Sequence, residues 1–216
     1  MQTKLFPEMP DRYPPRGKEW VHYDTPIREL PFVALDCETT GYAPPKARIT
    51  EIALVPMGGK RGEAFSTLVN PEVPIPAATV NINGIDDALV KDQPVMAQVF
   101  PTIADMLEGG IFVAHNVPFD YAFLDQAFRD HADKPLQMPW FCTLKLSRKL
   151  LSLPSNALGK VAAHLCIDLK NAHRALADTI AVKGLLEHFF TLLEEKGLKT
   201  GGDLIQAKYL RFDRPF

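Results

Sequence analysis

Cysteine is scarce in this 216-residue chain: Cys37, Cys142 and Cys166 are odd in number and far apart. They offer neither a disulfide framework nor the paired spacing of a zinc site, so a reducing, cytoplasmic setting is expected. No apolar run approaches the ~20 residues that cross a bilayer, and no membrane association is expected. The opening residues, MQTKLFPEMPDRYPP, lack the apolar stretch of a secretory signal. There is no G-x-G-x-x-G and no Walker-type loop, which leaves dinucleotide and P-loop chemistry without support. Charge of one sign is not in excess either. The net charge is −2, so the chain as a whole does not advertise nucleic-acid binding. Locally the balance shifts: residues 129–174 carry eight Lys/Arg against three acids. That tract fits a phosphate-contacting surface and solvated helix faces equally well.

The organisation reads as one domain with appendages. Residues 1–30 are proline-rich and aperiodic, which predicts an extended arm. Residues 31–196 form the main domain, and 197–216 a tail that is hard to assign. Strands are expected near 31–38, 48–56 and 62–69, with a short apolar one, IFVAHN, from Ile111. The Gly58-Gly59 break points to an antiparallel hairpin between the second and third. Helices are expected at about 95–108, 118–130, 142–151, 155–166 and 174–196, with a short helix or turn in NINGIDDALVKDQP. Ser155 is a candidate N-cap. Strands first and helices around them give a mixed α/β fold.

Three places break the apolar pattern with carboxylates. In FVALDCETTG, Asp36 and Glu38 point the same way at the end of a strand. Alone, the pair fits a solvated strand end. In the helix from Arg174, Asp178 shares its stripe with Ala175, Val182, Leu185 and Phe189, while Thr179, Lys183, Glu187 and Glu194 read as the polar face. An unpaired carboxylate on the apolar stripe would cost several kcal/mol, so it needs a backbone donor or a cation. In the helix opening at Pro118, Asp120 lies over Phe123, Leu124 and Ala127, with helix capping as the alternative reading. Asp125 falls off that stripe and reads as solvated. Four carboxylates without a His/Cys cluster make an oxygen-rich site suited to Mg²⁺ or Mn²⁺. Two such ions about 4 Å apart are the usual clamp for attack on a phosphate ester. His173, just ahead of the last long helix, is the candidate general base.

The segments D-x-E-T-T-G at Asp36–Gly41, H-N-x-x-F-D at His115–Asp120 and H-R-A-L-A-D at His173–Asp178 resemble the three motifs of the DEDDh exonuclease family. The connecting segments LVNPEVPIP…INGIDDALVKDQP and CTLKLSRKLLSLPSNALGKVAAHLCI are similar to those of its polymerase III epsilon-type proofreading members. The resemblance covers about residues 31–193. It implies an RNase H-like fold, a mixed five-stranded sheet flanked by helices, and a two-metal 3′→5′ exonuclease. By motif position, Asp36, Glu38, Asp120 and Asp178 would hold two Mg²⁺ or Mn²⁺ ions, and His173 would deprotonate the attacking water. Thr39, Thr40 and Gly41 would border the 3′-terminal nucleotide, with Phe119 packed near it. His115 and Asn116 would support the site from behind. Asn83 stands where the family often has His, which puts the contacts of that loop in question. The implied partner is a single-stranded 3′ end, DNA or, as the alternative, RNA. A polymerase or replisome partner and a standalone nuclease both fit. A non-catalytic binding module is the reading from another class, and the intact motif residues argue against it.

Overall fold

The computed structural model describes residues 20–60, 62–169 and 173–215; of the expected arm, residues 1–19 lie outside the described residues. Among the described residues there are six strands and eight α-helices. The strands are β1 (Pro31–Thr39), β2 (Ile49–Gly58), β3 (Phe65–Leu68), β4 (Ile111–Ala114), β5 (Trp140–Cys142) and β6 (Leu210–Arg211). They form one sheet in the order β3-β2-β1-β4-β5-β6. Pairs β1–β2, β2–β3 and β5–β6 are antiparallel, while β4 runs parallel to both β1 and β5. The sheet is mixed, as expected, and the hairpin at Gly58 is present.

Six strands replace the expected five. The additional one comes from the tail, where Leu210 and Arg211 pair with Phe141 and Trp140. Two residues carry no periodicity, so nothing in the sequence marked them as a strand. The three-residue β5 was hidden for the same reason beside the helix that follows it.

The two long central strands divide the core by alternation. Val33, Leu35, Cys37, Ile52 and Leu54 pack on one side, against α3 (Met96–Leu107) and α4 (Val117–Ala132). Phe32, Ala34, Val55 and Met57 pack on the other, against α7 (Ala175–Glu195), α5 (Thr143–Leu150) and α6 (Leu158–His164). The face of α7 read from the sequence is fully buried at Ala175, Val182, Leu185 and Phe189. Its expected polar face is corrected at Thr179, which is also fully buried and donates to the Ala175 carbonyl at 2.6 Å. Helix α7 is covered on more than one side, so its apolar surface is wider than a single stripe. Ser155 does not cap α6: Ala157 holds that position, and Ser155 Oγ only accepts from the Ala157 N–H at 3.4 Å.

The segment ahead of β1 and the tail close against each other. Pro26 bridges to Thr200, Ile27 and Leu30 are fully buried, and Trp20 meets Phe212 edge-on. In the tail, α8 (Gly201–Gln206) buries Leu204, and Leu210 is 1 % exposed. The apolar residues of the tail are therefore docked on the chain's own core. The remaining helices, α1 (Ala77–Asn83) and α2 (Asp87–Val90), sit around a small third cluster of Ile75, Ile85 and Val90.

Candidate active site

The site lies where the C-terminal ends of β1 and β4 meet the first turns of α4 and α7. In an open α/β sheet this crevice is where backbone ends and helix dipoles converge. Asp36 and Glu38 continue the side of β1 that carries Phe32 and Ala34, so they face α7. The register of β1 against β2 shifts between Glu38 and Thr39, a local bulge that ends the ladder at the site. Asp178 enters from the first turn of α7 and is 7 % exposed. Asp120 enters from the other face of the sheet, in the first turn of α4, and is 3 % exposed. It reaches the β1 backbone, accepting from the Cys37 N–H at 3.1 Å. Cys37 itself points away into the core, as its strand parity requires.

The carboxylates meet each other, not cations. Among the described residues, no Lys or Arg forms an ion pair with Asp36, Glu38, Asp120 or Asp178. Burial, and then the charges of Asp120, Asp178, Glu38 and Glu51, hold the Asp36 carboxyl well above the usual carboxylate range. Burial pushes Asp120 up to about 8, against two backbone hydrogen bonds that lower it. Burial likewise raises Glu38, with the Asn83 hydrogen bond opposing, and raises Asp178, with the His173 N–H opposing. All four carboxylates are shifted upward, and a nearby cation would favour their ionised forms.

The residues fit a divalent cation. Oδ2 of Asp178 accepts from the His173 N–H at 3.0 Å, but its Oδ1 is buried with no hydrogen-bond partner. A buried oxygen left unpaired is costly unless something else coordinates it. Glu38, His173 and Asp178 each offer a ligand atom, and these atoms lie within 4.8 Å of one another. His173 itself is exposed, on the loop before α7, with φ at 65°.

Two further residues adjoin the cluster: Asn83, noted in the sequence as a departure from the family, and Glu51, which was not assigned to the site. Asn83, at the end of α1, donates from Nδ2 to Glu38 Oε2 at 3.1 Å and accepts from the Ile85 N–H at 3.0 Å. The loop in question thus touches a candidate ligand directly. Glu51 on β2 lies directly across from Glu38 and is 3 % exposed. It pairs with Arg174 at 2.9 Å. The signal was present: Glu51 shares a strand face with Ile49, Ala53 and Val55, the same kind of break in an apolar face that Asp178 makes.

The remaining sequence-predicted residues fall around the rim. Thr39 and Thr40 are buried, and both hydroxyls serve the loop. Thr39 donates to the Gly41 carbonyl at 2.6 Å, and Thr40 Oγ1 accepts from the Arg48 N–H at 3.0 Å. Thr79 of α1 donates to the Thr40 carbonyl at 3.3 Å, which ties α1 to this rim. Phe119 is half-buried against Phe123, with ring centroids 5.1 Å apart. Asn116 holds the N-cap position of α4 with φ at 105°, makes no side-chain cap and is exposed.

His115 is a clasp. Its Nε2 faces the Asn156 carbonyl oxygen at 2.8 Å, which can only accept. Nε2 therefore carries the proton, and Nδ1, 3.0 Å from the Thr143 hydroxyl, accepts. Burial and nearby Arg148 lower its pKa, against the Asn156 contact, which keeps the ring neutral. Asp125, read as solvated, is corrected: it is 6 % exposed, accepts from the Leu136 N–H at 2.8 Å and pairs with Arg129 at 3.0 Å. Several side chains of the basic tract are engaged within the fold. Arg129 and Arg174 hold carboxylates, while Lys145 and Lys149 lie over Trp140 and Tyr209. Arg148 lines an open cleft beside His115, Asn116 and Asn156.

This arrangement has relatives. The chain is 34% identical over 182 residues to the DNA polymerase III subunit epsilon of Aquifex aeolicus, covering 83% of this chain and 89% of that one. It is 36% identical over 197 residues to a DNA polymerase III subunit epsilon-like protein of Rhodobacter capsulatus. That match covers 88% of this chain but 28% of the relative's length. Among solved structures, exonuclease X in complex with 5′ overhanging duplex DNA superposes with a TM-score of 0.59 at 28% identity, over 77% of this chain and 93% of that one. Exonuclease I of E. coli with a dT13 oligonucleotide shares the fold, with a TM-score of 0.66 at 20% identity over 77% of this chain and 42% of that one. The profile of the RNase_T family, described as exonuclease, matches residues 33–186, from β1 into α7 and across every carboxylate of the cluster. The chain belongs to that exonuclease family.

Proposed function

We propose that this protein is a metal-dependent exonuclease of the DEDDh type, removing nucleotides from the 3′ end of single-stranded or frayed DNA and releasing nucleoside 5′-monophosphates. The observation that carries this reading is the cluster itself: four carboxylates that, among the described residues, pair with no Lys or Arg, one of which buries an oxygen without a partner. Asp36, Glu38 and Asp178 would hold one Mg²⁺ or Mn²⁺, and Asp36 with Asp120 a second. Such ions supply charge neutralisation at the scissile phosphate and polarise the attacking and leaving oxygens.

The chain's own groups do the rest. His173, exposed beside Glu38 and Asp178, takes the proton of the attacking water. Asn83 orients Glu38, and Cys37 N–H orients Asp120. The Thr39-Thr40-Gly41 rim, stiffened by Arg48 and Thr79, and half-buried Phe119 frame the terminal nucleotide. His115 locks the β4–α4 corner to the 151–157 loop.

The DNA assignment is supported by the relatives named for DNA polymerase III and by exonuclease X with its DNA. Proofreading in association with a polymerase and standalone repair are the two settings consistent with them. Among the described residues, no helix is long and apolar enough to cross a membrane. Matched DNA and RNA oligonucleotides labelled at the 5′ end, digested with Mg²⁺ or Mn²⁺ and with EDTA, test the reading. Stepwise shortening of single-stranded DNA, abolished by EDTA, is expected. Faster shortening of RNA would favour the exoribonuclease alternative, and no shortening of either would overturn the enzyme reading.

A further inference from the structure

Glu51 stands beside the cluster without facing it. Its carboxylate accepts from Arg174 Nη2 at 2.9 Å and from Arg174 Nε at 3.1 and 3.3 Å. It also accepts from the backbone N–H of Ala175 at 3.1 Å. Both oxygens are therefore engaged, which distinguishes Glu51 from Asp178 with its orphaned Oδ1. The Ala175 bond is a helix cap supplied from a distance. Ala175 is the first residue of α7, and Arg174, at the N-cap position, caps nothing with its own side chain. A buried strand carboxylate 124 residues before Ala175 does that work instead.

His173 is held between this cap and Asp178. It lies immediately before Arg174, and its own N–H is taken by Asp178 Oδ2. Its φ of 65° is a conformation that a residue with a side chain keeps only when its neighbours fix it. Asp178 fixes it at its own N–H and Glu51 fixes the two residues that follow. Released from Glu51, the junction would be free to leave this conformation and swing the imidazole away from Glu38 and Asp178. Arg174 also pairs with Glu51, which offsets part of the charge that this fifth carboxylate adds beside the cluster.

We propose that Glu51 and Arg174 are positioning residues for His173, setting the loop–helix junction from which the imidazole reaches the site. This rests on the reading of His173 as the proton acceptor. The test is a double-mutant cycle on digestion of a single-stranded DNA oligonucleotide with Mn²⁺. Arg174→Ala and Glu51→Gln are each combined with His173→Ala, and Mn²⁺ affinity is measured by calorimetry. Each single variant is expected to lower kcat roughly 10- to 100-fold through misplacement of one group. KM should stay within about twofold, as for a loss felt only in the transition state. Mn²⁺ affinity should be largely kept, and Arg174→Lys should recover part of the rate. In the His173→Ala background, Arg174→Ala should cost nothing more. If either single variant fails to fold, Glu51→Met with Arg174→Leu removes both charges at similar volume, and the same loss of kcat is expected of that pair. An equal loss from Arg174→Ala with and without His173, or a loss that appears as weaker Mn²⁺ binding, would overturn the proposal. Wild-type kcat in Arg174→Ala beside a slow His173→Ala would sink the positioning role alone. A wild-type rate in His173→Ala would sink the proton-acceptor reading, and this one with it.

Discussion

Helix α4 buries two aspartates, and the chain treats them in opposite ways. Asp125 is 6 % exposed, and its charge is answered by Arg129 at 3.0 Å, Arg214 at 3.6 Å and the Leu136 N–H. Asp120 is 3 % exposed, one turn and a half nearer the helix start, and has the Cys37 N–H at 3.1 Å. Otherwise it faces carboxylates. Burial is the same and compensation differs. Arginine answers the buried acids Asp125 and Glu51, but among the described residues none pairs with the cluster itself. Burial of an acid alone is therefore no sign of a metal centre; burial without a counter-charge is.

The largest expected effects break the site half of that comparison. Asp36→Ala or Asp120→Asn should lower 3′-end digestion at least about 100-fold, the scale seen when one preorganised electrostatic partner is lost. In EDTA above about pH 8, where Asp120 is ionised, the same Asp120→Asn protein should melt no lower than wild type, because a repulsive charge has been removed. Asp125→Ala should do the reverse. It should destabilise by roughly 2–3 kcal/mol, below a fully buried pair because both arginines are part-exposed, and leave the rate per folded molecule intact. Urea melts and single-turnover rates on the same preparations separate the two outcomes.

An intermediate effect concerns pH. A carboxylate raised in the folded state is easier to protonate there than in the unfolded chain. The metal-free protein should lose stability as pH rises from about 4, the unfolded value, through the Asp120 value of about 8. Melting temperatures in EDTA should fall across that window. Saturating Mn²⁺ should raise them, and by more at pH 8 than at pH 5, since binding requires the ionised acids. A Mn²⁺ shift equal at both pH values would contradict the assignment. The smallest effect is expected at His115. His115→Phe removes the Thr143–Asn156 clasp and should cost about 1–2 kcal/mol, with a rate change well short of that for Asp36→Ala.

Much of the site was legible because its residues violate the pattern around them. Asp178 interrupts an otherwise apolar helix stripe, Asp120 does the same one helix earlier, and the strand parity of Asp36 and Glu38 sets both toward α7. Glu51 carried the same signal and passed unremarked, since a single acid in a strand also fits an exposed face. Its partner Arg174 is 123 residues away, and no local rule links them. Asp125 and Thr179 were misplaced for one physical reason. Periodicity assumes a helix with one buried side, whereas α4 and α7 are covered on several, and local hydrogen bonds make the extra burial tolerable. In the fold, the long central strands announced themselves, while β5 and β6 are too short to show any alternation.

The account depends on the cluster being completed by ions from solution. Calorimetric titration of metal-free protein with Mn²⁺ at pH 8, for wild type and Asp178→Asn, tests this most directly. The account predicts saturable binding to wild type with two ions per chain, and loss or marked weakening of at least one in Asp178→Asn. No binding heat in wild type, or the same isotherm for both proteins, would contradict it.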